Sequence, residues 1–210
     1  MGDIKIKIRR MTICVTNCYY VFREGSDEIV IVDPGEKGEV IYEDVKSLGI
    51  SKVAGILLTH GHGDHIGGAK KLQELTGAKI YAFEDEAEIL RDGVKNLSGW
   101  FGEPYGMDAD VYLRDNEEFD MAGFHFKVIH TPGHTQGSCC YYAEEDGYLF
   151  CGDTIMNLSV GRTDFYSGSE ATLMRSIHER IFTLPDETKI CSGHGDKTTV
   201  AFERENNPCV

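Results

Sequence analysis

The sequence predicts an α/β fold built as a single domain over residues 1–210. Two observations carry this prediction. Apolar strand-like runs alternate with amphipathic helix-like segments along the whole chain, a pattern typical of α/β domains. In addition, no stretch rich in proline, serine or charge separates one half of the chain from the other, so no domain boundary is expected.

The first third of the chain is expected to open with strands. Residues 4–8 alternate isoleucine with lysine, which is the period-two pattern of a half-buried edge strand. Two further apolar runs flank a hairpin-like turn at 24–27, and Asp33-Pro34-Gly35 ends the second of them. The two predicted strands and the short helix that follows them cover residues 18–22, 29–32 and 40–48.

The middle of the chain predicts a β-α-β unit, with strands at 53–58 and 79–83 around a helix at 65–75 that ends at Gly77. Residues 91–108 predict a long loop, because four glycines and one proline stand among three aromatic residues, Trp100, Phe101 and Tyr105. These aromatic side chains either form a lid over a bound ligand or pack onto the core.

The second half repeats the alternation of strands and helices. A helix is expected over 170–182, where Leu173 and Ile177 belong to an apolar stripe and Ser169 occupies the N-cap position. A last short helix closes the chain. The predicted strands of this half cover residues 110–113, 124–130, 138–143, 148–151 and 189–191.

Composition narrows the classes of partner. Apolar residues make up 41% of the chain and the formal net charge is −14, so we expect a buried core and a surface that repels nucleic acid and anionic membranes. No apolar run approaches the ~20 residues of a membrane helix, and the N-terminus does not resemble a secretory leader. The seven cysteines include no CxxC pair, which indicates reduced thiols and a cytoplasmic location.

Polar side chains recur where the predicted strands end. Because strand ends can converge on one site, and because imidazole and carboxylate groups bind zinc, iron or manganese, a metal site is predicted there. His60 and His62 point the same way in an extended segment, while Asp64 and His65 lie beyond Gly63 and can reach a second ion. The remaining histidines, at 125, 130 and 178, are expected to have no direct role. The candidate ligands are His60, His62, Asp64, His65, His134, Asp153 and His194.

The segments THGHGDHIGG, TPGHT, CGDT and SGHG, in this order, resemble the metal-binding motifs of the metallo-β-lactamase fold superfamily. The resemblance implies an αβ/βα sandwich of two mixed sheets flanked by helices, with two divalent ions at one edge. Zinc is the first expectation, with iron or manganese as alternatives. It further implies that His60, His62 and His134 hold the first ion, that Asp64, His65 and His194 hold the second, and that Asp153 bridges both.

Three further segments, GRTDF at 161–165, LMRSIHERIFTLP and GHGDKTTVAFEREN, resemble the short glyoxalase II-type hydrolases. That resemblance implies cleavage of hydroxyacyl thioesters, of which lactoylglutathione is the best known. The chain ends 16 residues after His194, so we expect it to lack the C-terminal helical extension that supplies glutathione contacts in the longer enzymes. The expected partner is a small-molecule thioester, with the thiol carrier, the acyl group and the oligomeric state left open.

The implied mechanism uses a hydroxide bridging two ions, which attacks the thioester carbonyl while Asp64 orients it and holds its proton. A thiolate, with a pKa near ~8.5, leaves without a strong general acid. Within GRTDF, Arg162 is predicted to grip a substrate carboxylate, with Asp164 and Phe165 beside it. The alternative for Arg162 is a structural salt bridge to Asp164.

Other activities of the same fold compete with thioester hydrolysis. A persulfide dioxygenase would hold one iron through residues matching His60, His134 and Asp153, and is the strongest rival. The GHG segment around His194 favours two ions instead. A β-lactamase, a lactonase or another ester hydrolase agrees less well with the GRTDF segment and the other two segments of this subgroup. A non-catalytic metal-binding module would be expected to have lost ligands.

Overall fold

The computed structural model describes residues 2–210, which form two six-stranded sheets packed face to face with helices on both outer faces. The predicted αβ/βα sandwich of two mixed sheets is therefore confirmed. In the part of the chain that the structure describes, no helix is long and apolar enough to cross a membrane.

The first sheet contains β1 to β6 in sequence order. Its first three strands are antiparallel, and the pairs from β3 to β6 are parallel. The strands are Ile4–Arg10 (β1), Asn17–Arg23 (β2), Glu28–Val32 (β3), Lys52–Leu57 (β4), Ile80–Phe83 (β5) and Val111–Leu113 (β6).

The second sheet is mostly antiparallel. Its one parallel pair joins the strand at residues 148–152 to the strand at residues 189–192. A two-residue hairpin, β11 with β12, follows the tenth strand and stands outside both sheets. The strands are Glu118–Met121 (β7), Phe124–His130 (β8), Cys139–Ala143 (β9), Tyr148–Gly152 (β10), Ile155–Met156 (β11), Ser159–Val160 (β12), Lys189–Ser192 (β13) and Thr198–Thr199 (β14).

The helices lie on the outer faces of the sheets. Ser169 caps the helix that begins at Glu170, because its side chain accepts a hydrogen bond from the Thr172 N–H, as predicted. This helix continues into a wide π-type turn over Ile177–Ile181. The helices are Gly38–Ser47 (α1), Gly63–Ile66 (α2), Ala69–Thr76 (α3), Ala87–Arg91 (α4), Glu170–Ser176 (α5) and Val200–Asn206 (α6).

Three apolar layers hold the sandwich together, and strand alternation distributes side chains between them. In β2, Tyr19 and Val21 face the second sheet, whereas Cys18 and Tyr20 face α1 and α3. A third layer packs α5 against the outer face of the second sheet. Because both faces are covered, the inner strands β2, β3, β9 and β10 are buried along most of their length, whereas the edge strand β1 is half-buried, as the sequence predicted. The four cysteines at 139, 140, 151 and 191 are buried, as expected.

Several predicted boundaries were wrong. The helix expected over 65–75 is two helices, because Gly67 and Gly68 pass directly beneath the chain at 34–36. A Cβ on Gly67 would lie 2.2 Å from the Gly35 carbonyl oxygen. The sequence analysis also missed β7, β14 and the β11–β12 hairpin, which are too short and polar to show a clear alternation. The predicted loop 91–108 contains a 3₁₀ turn at Ser98–Trp100.

Candidate metal centre

Four strand ends meet at one edge of the sandwich, and the seven predicted ligands follow them. The segment after β4 carries four of these residues and leads into α2, while β8, β10 and β13 lead to His134, Asp153 and His194. Gly193 allows this convergence, because a Cβ there would lie 2.2 Å from the Asp153 Oδ1 atom.

Three imidazole rings form the first half of the centre, which we call the three-histidine group: His60, His62 and His134. The Nε2 atom of His134 lies 3.2 Å from Nε2 of His60 and 2.9 Å from Nδ1 of His62. All three side chains are buried. Nitrogen atoms that converge this closely in a buried site are suited to share one cation.

The second half of the centre, which we call the Asp64 group, contains Asp64, His65 and His194. The Nε2 atom of His194 lies 3.4 Å from carboxylate oxygens of both Asp64 and Asp153, and Nε2 of His65 lies 3.5 Å from Asp153 Oδ1. Asp153 also faces the three-histidine group, because its Oδ2 atom is 3.7 Å from Nε2 of His134. Asp153 therefore stands between the two groups.

Hydrogen bonds on the outer side of three rings orient them toward the centre. Nδ1 of His134 donates to the Arg162 carbonyl oxygen at 2.6 Å, and Nδ1 of His194 donates to the Cys14 carbonyl oxygen at 3.1 Å. Nδ1 of His65 lies 3.0 Å from Asp33 Oδ2. Because a carbonyl or carboxylate oxygen accepts the Nδ1 proton, each neutral ring presents its Nε2 lone pair to the centre.

The electrostatics of the two halves differ. Burial, followed by the neighbouring imidazoles, lowers the pKa of His60 well below its usual value, and burial with His134 lowers the pKa of His62 to about 3. Burial also opposes charge on His65 and His194, but the nearby carboxylates outweigh it and raise their pKa values to about 9 and about 11. The Asp64 group thus favours positive charge, while the three-histidine group stays neutral.

The donor set fits divalent metal ions. His62 Nε2, His65 Nε2 and Asp153 Oδ1 are buried and have no hydrogen-bond partner among the described residues. Unpartnered buried polar atoms are unfavourable and rare in folded proteins. Against the effect of burial, His65 and His194 lower the pKa of Asp64 to about 2 and hold the pKa of Asp153 well below its usual range, so both carboxylates are ionised.

A cavity of about 340 Å³ opens onto the centre. His62, Asp64, His134, Asp153 and His194 form its floor, and mostly apolar side chains form its walls. The Phe165 ring lies 5.8 Å from the His62 ring, between centroids, so the apolar wall begins next to the metal centre. Of the three loop aromatics, Trp100 and Phe101 line this cavity, whereas Tyr105 lines a neighbouring one.

Arg162 occupies the cavity wall and a salt bridge at the same time. Its guanidinium donates to both carboxylate oxygens of Asp164, at 2.7 and 3.0 Å, and lies 4.3 Å from the Phe165 ring centroid. The arginine is exposed and lines the cavity. The salt bridge to Asp164, which was the alternative for Arg162, is present, and the role of Arg162 in substrate binding stays a prediction.

A comparison with protein families identifies this architecture. The family model described as the metallo-beta-lactamase superfamily matches residues 11–194, a range that includes all seven candidate ligands. The chain belongs to the metallo-beta-lactamase superfamily.

Relatives over the full length of the chain include metallo-hydrolases. A Bacillus subtilis protein named probable metallo-hydrolase YqgX is 36% identical over 205 residues, covering 97% of each chain. Hydroxyacylglutathione hydrolase GloC of Haemophilus influenzae is 32% identical over 211 residues, covering 98% of this chain and 97% of that protein. The expectation of a metal-dependent hydrolase is confirmed at the level of the superfamily.

Three solved structures share the fold. BLEG-1, a B3 metallo-beta-lactamase, has a TM-score of 0.91 at 35% identity, with 97% of this chain and 98% of that chain covered. TTHA1623, solved in a di-iron-bound form, has a TM-score of 0.85 at 27% identity, with 97% and 100% covered. ETHE1 from Myxococcus xanthus has a TM-score of 0.79 at 27% identity, with 97% and 83% covered.

The sequence analysis missed two buried carboxylates beside the metal centre, those of Asp33 and Glu86. Asp33 accepts hydrogen bonds from Thr59 N–H and Thr59 Oγ1, at 2.8 and 2.7 Å, as well as facing His65. Its position directly after β3, at a strand end, was an available signal. Glu86 lies in the acidic run Glu84–Glu86, which resembles an exposed surface, so the sequence offered no comparable signal for it.

Proposed function

We propose that the protein is a dinuclear metal-dependent hydrolase that cleaves thioesters. The observation that carries the proposal is the pair of adjoining donor groups with Asp153 between them. Its Oδ2 atom lies 3.7 Å from His134 Nε2 and 3.4 Å from His194 Nε2, and so faces both halves of the centre. The di-iron form of TTHA1623 supports two ions in such a centre. The similarity to GloC supports hydroxyacyl thioesters as substrates.

In this proposal His60, His62 and His134 hold one ion, the Asp64 group holds the other, and Asp153 contributes to both. Zinc agrees best with the mixed imidazole and carboxylate set, and iron or manganese fits the same donors. When bound, two divalent ions supply Lewis acidity and lower the pKa of water from 15.7 to about 7.

Asp64 is the proposed catalytic residue of the chain itself. Thr16 Oγ1 donates to its Oδ2 atom at 2.8 Å, which fixes the carboxylate at the cavity floor. Because the Asp64 carboxylate stays ionised, its Oδ2 atom can accept a proton from the attacking water. The same contact orients a lone pair of the water oxygen toward the thioester carbon. The departing thiolate is stable near neutral pH, so no second acid is required.

Arg162, Asp164 and Phe165 are the proposed substrate-binding residues. They line or adjoin the cavity, and the guanidinium is the group that can pair with a carboxylate of the thiol. We also propose that the protein functions in the cytoplasm. All seven cysteines are free thiols, and five of them are buried, which suits a reducing compartment.

A mononuclear iron persulfide dioxygenase is the alternative. The donors it would use also converge here: His134 Nε2 lies 3.2 Å from His60 Nε2 and 3.7 Å from Asp153 Oδ2. A mononuclear dioxygenase would leave the Asp64 group without a role, so we favour the hydrolase.

Elemental analysis combined with two activity assays separates the two functions. The metal-loaded protein is expected to hold about two equivalents of divalent metal and to release free thiol from lactoylglutathione. One equivalent of iron, together with oxygen consumption in the presence of glutathione persulfide and no thiol release from the thioester, would overturn the proposal.

A further inference from the structure

The cavity beside the metal centre has two apolar sides, contributed by different segments of the chain. Leu97, Trp100 and Phe101 come from the 91–108 loop and form one side together with Phe165. Met156 and Val160, from the β11–β12 hairpin, form the other. Trp100 packs edge-on against Phe165 at 5.3 Å between ring centroids, so these two rings, from different loops, form a continuous apolar surface.

This surface is exposed although its side chains are large and apolar. Trp100 is 66% exposed and Phe101 is 38% exposed. Covering apolar surface of this kind with an apolar ligand is favourable, and large exposed apolar side chains that rim a pocket mark a binding site.

The loop that carries the surface is held in place by hydrogen bonds within the chain. The Asn96 side chain donates to the Tyr105 carbonyl at 2.8 Å, and the Asn96 carbonyl accepts from Gly63 N–H at 2.6 Å, at the start of α2. Leu97 adopts a left-handed backbone conformation, with φ of 60°, that non-glycine residues rarely adopt. This conformation is fixed by its neighbours and belongs to a residue of the cavity wall.

The cavity offers little to a highly charged ligand. Among the described residues that line it, Arg162 is the one lysine or arginine, and its guanidinium is already paired with Asp164. One substrate carboxylate can meet this arginine. A carrier with several phosphate groups would meet no further lysine or arginine in the cavity and would approach a protein with a net charge of −14.

We propose that the acyl group of the substrate is short and uncharged, that its apolar end packs between Trp100 and the β11–β12 hairpin, and that the thiol carrier places at most one of its carboxylates near Arg162. The proposal rests on the thioester hydrolase function and names its substrate class. A cavity of about 340 Å³ lies at the small end of the ~300–1,000 Å³ range of ligand pockets, which suits a short chain.

A series of acyl thioesters of N-acetylcysteamine, an uncharged thiol, tests the proposal. From acetyl through butanoyl to hexanoyl, kcat/KM is expected to rise by about two- to fourfold per methylene, as the burial of each methylene predicts. Trp100→Ala should flatten this rise, and Trp100→Phe should restore part of it. The matched control is Val94→Ala, in the same loop, because Val94 is 79% exposed and does not line the cavity.

Two further substrate comparisons test the proposed class of substrate. Butanoyl-coenzyme A is expected to be a poorer substrate than butanoyl-N-acetylcysteamine, because the cavity has no lysine or arginine beyond Arg162 to pair with its phosphates. Acetyl thioesters of lengthened alkanethiols should show no comparable rise. A better rate with the coenzyme A thioester, or a rise confined to the alkanethiol series, would overturn the proposal.

A binding measurement separates this proposal from the proposed function. Trp100 is the chain's one tryptophan, so its fluorescence reports ligands that reach the wall. S-alkyl thioethers of N-acetylcysteamine cannot be hydrolysed, and their affinity should increase with alkyl length. If no thioester is hydrolysed but this increase is seen, the hydrolase function fails while the apolar acyl site stands. If thioesters are hydrolysed but neither rate nor affinity depends on chain length, the site proposal is overturned alone.

Discussion

The buried carboxylate of Glu86 accepts a hydrogen bond from the backbone N–H of Gly61 at 2.7 Å, between the first two ligands of the three-histidine group. Its other oxygen accepts from Thr135 Oγ1 and Gly137 N–H, both at 2.9 Å, directly after His134. One side chain from the entry to α4 therefore connects the two backbone segments that carry the three imidazoles. Their spacing depends on a residue that touches none of them.

Replacing Glu86 with glutamine should weaken metal binding at the three-histidine group. Glutamine has one acceptor oxygen where glutamate has two. Its NH2 group would therefore face the N–H of either Gly61 or Gly137, and the hydrogen bond to that backbone segment would be lost. Loss of such outer partners typically lowers metal affinity by about ten- to a hundredfold. Competition with a chromophoric chelator measures this affinity.

Glu84→Gln is the control for that measurement, because Glu84 lies in the same acidic run but is exposed and pairs with Arg114. A Glu86→Gln protein with a lower melting temperature but unchanged metal affinity would show that Glu86 stabilises the fold without positioning the ligands.

Asp153→Ala is expected to lose both metal ions, because Asp153 faces both halves of the centre. His194→Ala should mainly empty the Asp64 group and leave about one equivalent. Elemental analysis after dialysis gives the stoichiometry directly. Asp196→Asn is the matched control, since Asp196 is an exposed carboxylate two residues beyond His194. Full occupancy and full rate in either ligand variant would contradict the assignment.

Glu203→Gln should impair substrate binding while leaving the metals in place. Glu203 is buried in α6 and accepts hydrogen bonds from Leu158 N–H and Asn207 Nδ2, at 2.9 and 2.8 Å, which holds the β11–β12 hairpin at the cavity wall. Leaving a buried donor unpaired costs about 1–3 kcal/mol, and each kcal/mol lowers the melting temperature by roughly 2–4 °C in a chain of this size.

The readout for Glu203→Gln is KM together with metal content and thermal denaturation. KM should rise, the metal stoichiometry should match that of the wild type, and the melting temperature should fall. Glu205→Gln, exposed on the same helix, should match the wild type in all three. A loss of metal with no rise in KM would refute the hairpin role.

The sequence predicted the ligand cluster because each ligand follows a strand, and parallel strand ends meet at one edge. Glu86 and Glu203 were beyond its reach for the same physical reason: each acts through hydrogen bonds to backbone groups that lie far away in the sequence. The break between α2 and α3 was also hidden. Gly67 looks like a tolerated glycine in a helix until the close approach of Gly35 is known.

Arg162 and Asp164 allow a test of carboxylate recognition in which two substitutions have different outcomes. Arg162→Ala should raise KM for a glutathione thioester by about ten- to a hundredfold with kcat nearly unchanged, because a charged hydrogen bond to the thiol's carboxylate is lost from ground and transition states alike. A thioester of N-acetylcysteamine, which carries no carboxylate, should show little change. Arg175→Ala, on the exposed face of α5, is the control.

Asp164→Asn separates binding from a structural role. Asp164 now accepts from Nε and Nη2 of the guanidinium, at 3.0 and 2.7 Å, and so competes with a substrate carboxylate for this donor edge. Releasing the arginine should therefore lower KM for the glutathione thioester and leave the N-acetylcysteamine thioester unaffected. Because both side chains are exposed, their mutual pairing contributes little to stability, and the melting temperature should hold. Equal changes with both substrates, tracking a fall in melting temperature, would instead assign the pair to the fold of the GRTDF loop.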